Sequence, residues 1–111
     1  MPKTAITYSK SAISDLMNIA DYLIEEADIN IALKVTDEIH KVITETIFNN
    51  PKAGSTVKLI PRTNMRYFTA GKYPYNIYYE LTEGKILIIR VLHGKRNIKK
   101  LLNLLKNTPP I

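Results

Sequence analysis

KILIIRVLHGKRN, residues 85–97, decides the fold, because residues 86–92 are apolar except for Arg90 and are rich in β-branched side chains. Such a run, too short for a typical helix and apolar on both alternating faces, reads as a covered and therefore central strand. It breaks at Gly94 into a basic turn, Lys95 and Arg96, and then enters a short amphipathic segment. A buried strand that delivers cations to its own end is a natural place for a site.

Two more strand candidates precede it, over residues 65–70 and 75–81. Thr82, Glu83 and Gly84 join the second of these to the central strand, and the glycine can take the positive φ of a tight hairpin. Gly71, Lys72, Tyr73 and Pro74 separate the first pair, which predicts a second hairpin and so an antiparallel meander. Beyond the central strand, Ile98, Leu101, Leu102 and Leu105 line one side of a predicted last helix, with Lys99, Lys100 and Lys106 on the other.

Towards the N-terminus the pattern changes to helical spacing. Thr4, Ile6 and Tyr8 alternate with Ala5 and Thr7 as a first strand, and Ser9 or Ser11 can cap a helix whose first turn gains negative charge from Asp15. Ile13, Leu16, Ala20, Leu23 and Ala27 form its apolar stripe. Asn30 caps a second helix striped by Leu33, Val35, Ile39, Val42, Ile43 and Ile47, which stops at Asn49, Asn50 and Pro51. The link at Asp28 and Ile29 is short enough to force an antiparallel helical hairpin. A connector through Val57, Leu59 and Pro61 completes a β-α-α-β-β-β(-α) order: one α+β domain over residues 1–111, with the helical hairpin packed on a small antiparallel sheet.

Composition narrows the function. With 111 residues, 45% of them apolar and 23% charged, the chain suits one globular domain with one core. No run approaches the ~20 apolar residues of a membrane span, and the N-terminus has no apolar signal segment, so the cytoplasm is the expected compartment. Zero cysteines and two histidines exclude disulfides and argue against a metal site, and no cofactor is expected. The pI is near 9.6, and the charge is unevenly placed: from Phe48 onward twelve Lys and Arg face two acids, whereas eight acids lie at or before Glu45. A polycationic half favours an anionic partner, either nucleic acid or an acidic protein segment.

The element order, the helix ending in NNPKAG, the strand start Met65-Arg66-Tyr67, the run YNIYYEL and above all IIRVLHGKRN resemble the RelE/ParE superfamily of toxins from type II toxin–antitoxin modules. The VLHGKRN segment after a tyrosine-rich hairpin is more similar to the ParE branch. The resemblance implies a toxin that inhibits DNA gyrase by binding, joined in a hetero-oligomer by a cognate antitoxin whose flexible acidic tail neutralises it. Contact with operator DNA would then run only through the antitoxin. The RelE branch implies the alternative, a ribosome-dependent mRNA endonuclease.

A metal-free nuclease needs a base for the 2′-hydroxyl, cations for the phosphorane and an acid for the leaving oxygen. Arg66, His93, Lys95 and Arg96 are the candidates, with Lys72, Tyr73 and Tyr75 nearby in sequence. Residues 97–111 hold no aromatic, acidic or histidine side chain, although RelE-like enzymes keep a functional tyrosine in that segment. For a binding protein the candidate contacts are Arg66, Tyr78, Arg90, His93, Lys95, Arg96, Lys99 and Leu102. Tyr78 is expected on the sheet face away from Tyr75, Ile77 and Tyr79, as an aromatic platform. Arg90 must pair with a carboxylate, meet a partner or reach solvent, since an unpaired buried guanidinium costs several kcal/mol. His40 reads as a solvated helix residue.

Overall fold

The structure is a computed structural model and describes residues 5–56 and 65–94. Strand β1 (Ala5–Tyr8) leads into helices α1 (Lys10–Glu26) and α2 (Ile29–Lys41). A wide π-helical turn (Val42–Ile47) and a short 3-10 turn (Pro51–Ala53) follow. Strands β2 (Ser55–Thr56), β3 (Met65–Thr69), β4 (Tyr75–Thr82) and β5 (Lys85–His93) complete the order. They form one five-stranded sheet in the order β1-β5-β4-β3-β2, so the 85–97 stretch does supply an internal strand. The β3–β4–β5 meander is antiparallel, and β1 adds to the other edge of β5 in parallel, with Ala5 opposite Lys85 and Tyr8 opposite Ile88. The predicted last helix, the connector around Val57, Leu59 and Pro61, and Thr4 fall outside the described residues.

Local chemistry explains most of the boundaries. Ser9 caps α1 by accepting the Ala12 N–H at 2.9 Å. Asp28, not Asn30, caps α2, because its carboxylate accepts the Ile31 N–H at 2.9 Å in extended backbone geometry. The β4–β5 hairpin closes with Glu83 at φ 43° and Gly84 at φ 77°, two consecutive left-handed residues that match the twist of the flanking strands. At the far end of α2 the Phe48 N–H reaches back five residues to the Ile43 carbonyl, widening the last turns while Ile43 and Ile47 stay in the core.

The helices pack on one sheet face around Val35, Ile39, Ile43, Ile47, Ile77 and Tyr79. Burying an isoleucine fully is worth about 1.5–3 kcal/mol. Since Ile39, Ile43 and Ile47 are all fully buried while α1 buries only Ala12 and Asp15, α2 and its extension anchor the hairpin. Leu16 and Leu23 of the expected α1 stripe do pack against the core, but Ile13 is 49% exposed, as is Leu33 of the α2 stripe at 53%. Ala12, whose small side chain permits close approach, and Asp15 point inward instead.

A bulge decides which β5 residues share a face. Tyr78 pairs with Arg90 but Tyr79 with Ile88, so Ile89 is an extra residue. Strict alternation would put Ile86, Ile88, Arg90 and Leu92 together. After the bulge it is Val91 that joins Ile86 and Ile88 in the core.

Candidate partner-binding surface

Strand β1 ends opposite Ile88, and the start of α1 takes over the exposed edge of β5. Ser9 donates its backbone N–H to the Ile88 carbonyl at 2.9 Å and its hydroxyl to the Ile89 carbonyl at 2.7 Å. Two turns into α1, Asp15 accepts from Arg90 Nε at 2.7 Å, from Arg90 Nη2 at 2.8 Å and from the Val91 N–H at 2.9 Å. Asp15 is therefore a buried ion-pair partner rather than a first-turn charge on the helix. The bond to Asp15 raises the Arg90 pKa above its ordinary value, against the opposing effect of burial. Of the roles open to Arg90, the structure assigns it the intrachain pair.

Past this pair, α1 and the end of β5 enclose a cleft of about 430 Å³ whose walls include Asp15, Ile19, Tyr22, Tyr75, Val91 and His93. The His93 ring meets Tyr75 edge-on, with centroids 5.5 Å apart at 83°. Burial raises the Tyr75 pKa above 10.0, and the neighbouring Tyr22 adds to the rise. Helix periodicity groups Asp15, Ile19 and Tyr22, but joining them to Tyr75 required the tertiary fold.

Arg66 lies elsewhere. Its guanidinium Nη1 donates to the Gly54 carbonyl at 2.8 Å and the Lys52 carbonyl at 3.3 Å, fastening the turn that precedes β2. Tyr79 secures the same turn, donating its hydroxyl to the Pro51 carbonyl at 2.6 Å and accepting the Gly54 N–H at 3.0 Å. Burial raises the Tyr79 pKa above 10.0 even though the Gly54 bond and the Arg66 charge act against it.

The sequence-derived candidates are thus dispersed. Arg66 sits opposite Tyr79 and His93 opposite Tyr75, with β4 between them. Four residues along β4 and two strand spacings put their Cα atoms roughly 16 Å apart. The structure does not bring these two to one phosphate. Tyr78 is only 6% exposed, and its ring lies 5.7 Å from that of Tyr67, so it does not present the open platform expected of it. Lys72 extends over the Tyr73 ring at 5.5 Å in the β3–β4 turn, and His40 is exposed on α2. Lys95, Arg96, Lys99 and Leu102 lie outside the described residues.

One surface escaped the sequence reasoning. Ile13, Met17 and Ile24 recur on the outside of α1, and Ile29 and Leu33 on α2, all between 45% and 62% exposed. Of these, Ile13 and Leu33 were expected in the core-facing stripes and Ile29 in the link between the helices. Exposed large apolar side chains recurring along a helical hairpin make this face a candidate protein-interaction surface. Among the described residues no three His, Asp or Glu side chains converge to hold a metal ion, and no helix is long and apolar enough to cross a membrane.

The family model for the ParE toxin of type II toxin–antitoxin system, parDE, matches residues 6–98. Among solved structures, the chain is similar to a chain of the chromosomal ParDE toxin–antitoxin system of P. aeruginosa. The TM-score is 0.70 at 22% identity, over 83% of this chain and 97% of that one. The sequence matches no curated protein.

Proposed function

The chain belongs to the ParE toxin family of type II toxin–antitoxin systems, and from that membership we propose that it is a toxin that binds and inhibits DNA gyrase and is neutralised by a cognate antitoxin. The match over residues 6–98, nearly the whole domain, carries this reading. The engagement of Arg66 with the Gly54 and Lys52 carbonyls favours binding over RNA cleavage, since a phosphate clamp would need that guanidinium to leave its turn. The separation of Arg66 from His93 argues in the same direction.

The charge distribution fits such an antitoxin. Twelve Lys and Arg against two acids from Phe48 onward would attract an acidic tail and speed its encounter. The exposed Ile13, Met17, Ile24, Ile29 and Leu33 side chains offer apolar area for an amphipathic segment. Operator DNA would be reached through the antitoxin, and the cytoplasm, where gyrase works, is the proposed compartment.

The deciding experiment is ATP-dependent supercoiling of relaxed plasmid by purified gyrase, titrated with this protein with and without its antitoxin. Dose-dependent inhibition reversed by the antitoxin is expected. Unimpaired supercoiling at a large excess of folded protein would sink the gyrase proposal and turn attention to ribosome-programmed mRNA cleavage.

A further inference from the structure

The cleft between α1 and the end of β5 combines apolar walls with polar groups that the fold leaves uncommitted. At about 430 Å³ it falls in the size range of ligand pockets, which are mostly apolar with a few polar groups that fix orientation. Ile19, Val91 and Leu92 supply the apolar surface, and the rings of Tyr22 and Tyr75 add aromatic surface. The edge-on contact with His93 holds the plane of the Tyr75 ring.

Among the described residues, the Asn18 amide and the Tyr22 and Tyr75 hydroxyls have no hydrogen-bond partner. Tyr75 is only 7% exposed, yet no buried side-chain oxygen or nitrogen of the described residues lacks a partner. Its hydroxyl therefore opens on the cleft. Tyr22 adds to the rise in the Tyr75 pKa, which places the two phenols near each other. The carboxylate in the described lining, Asp15, is already paired with Arg90 at 2.7 Å and accepts the Val91 N–H. An ionised ligand would give up hydration without meeting an uncompensated charge on these residues, a cost that an uncharged ligand escapes.

We propose that the cleft binds a small uncharged aromatic molecule with an amide-like edge, an N–H donor beside a carbonyl acceptor. Its ring would lie along Ile19, Val91 and Leu92 and stack on Tyr22, which is 59% exposed. The edge would pair with the Asn18 amide, which offers both a donor and an acceptor, and the carbonyl would accept from the Tyr75 hydroxyl. The site is separate from gyrase inhibition and holds whether or not gyrase is the target.

The test is an amide-resolved NMR titration of the full chain with isoindolin-1-one, an uncharged fused aromatic lactam. Three relatives serve as comparisons: its ring-saturated octahydro form, its N-methyl form, and benzoate as an aromatic anion. Saturable shifts centred on Asn18, Ile19, Tyr22, Val91 and Leu92 are expected at about millimolar lactam. Saturating the ring or methylating the nitrogen should each weaken binding about threefold to tenfold, and benzoate should bind more weakly still. Asn18→Ala and Tyr22→Ala, both at exposed positions that leave the fold intact, should lose a similar factor. No saturable shift up to the solubility limit of the lactam, shifts that centre elsewhere, or equal binding of the saturated form would each overturn the proposal. So would tighter binding of benzoate, or unchanged affinity in both alanine variants.

Discussion

Asp15 and Arg90, 75 residues apart in the chain, form a two-pronged ion pair at 2.7 and 2.8 Å, and the same carboxylate accepts the Val91 N–H at 2.9 Å. One side chain of α1 thereby takes the place of the strand that β1 no longer supplies along β5.

Removing the carboxylate strands both a guanidinium and a strand amide. Asp15→Ala is expected to lower stability by about 3 kcal/mol, measured by urea unfolding. Arg90→Met should cost less, because Asp15 keeps its bond to the Val91 N–H. Equal losses in the two variants would show that the Val91 bond contributes nothing.

Gly54 is held by space rather than by backbone geometry, since its φ of -70° suits any residue. A Cβ there would collide with the Tyr79 hydroxyl and lie 2.8 Å from the Tyr67 carbonyl oxygen. Gly54→Ala should destabilise by about 2 kcal/mol. Tyr79→Phe, which leaves the Gly54 N–H without its acceptor, should cost about 1–3 kcal/mol. In the double variant the alanine penalty should shrink, because the colliding oxygen is gone. Strictly additive losses in thermal or urea melts would contradict this contact.

Three buried tyrosines and the half-buried Tyr8 make the fold sensitive to alkali. Burial raises the pKa of Tyr8, Tyr75, Tyr78 and Tyr79 above 10.0. Above that pH the unfolded chain releases phenolic protons that the folded chain retains, so the unfolded state binds fewer protons and stability falls as pH rises. The contribution is complete below pH 10.0 and is lost through the higher folded-state values. Urea midpoints should therefore drop above pH 10.0, and less steeply in Tyr78→Phe. A slope unchanged by that substitution would exclude Tyr78 as a contributor.

Arg66→Ala separates scaffold from chemistry. Because Arg66 binds the carbonyls of Lys52 and Gly54, its loss should cost about 1–2 kcal/mol in unfolding experiments. In a gyrase assay below the variant's melting temperature, inhibition should persist. A variant of unchanged stability that no longer inhibits would instead place Arg66 at the target interface.

The periodicity of residues 10–47 and 65–93 was enough to specify the helical hairpin, the three-strand meander and the internal position of β5. These are local properties: apolar spacing selects the element, and Ser9, Pro51 and Gly84 mark ends that depend only on near neighbours. Arg90 was legible as a residue in need of a partner, because burying its charge alone is too costly. The identity of that partner was not, since Asp15 lies 75 residues away and reads locally as a charge near a helix start.

What only the tertiary structure decided follows from that same contact. Asp15 turns inward beside Leu16 while Ile13 is left exposed, and the extra residue Ile89 brings Val91 into the helix-facing core cluster in place of Leu92. It also set the parallel pairing of β1, the capture of Arg66 by the Lys52 and Gly54 carbonyls, and the cleft that joins Tyr22 to Tyr75 and His93. Each depends on groups distant in sequence that meet only when the hairpin docks on the sheet. A one-residue shift in register or in helix phase changes which side chains face in, while local preferences are nearly indifferent to that choice.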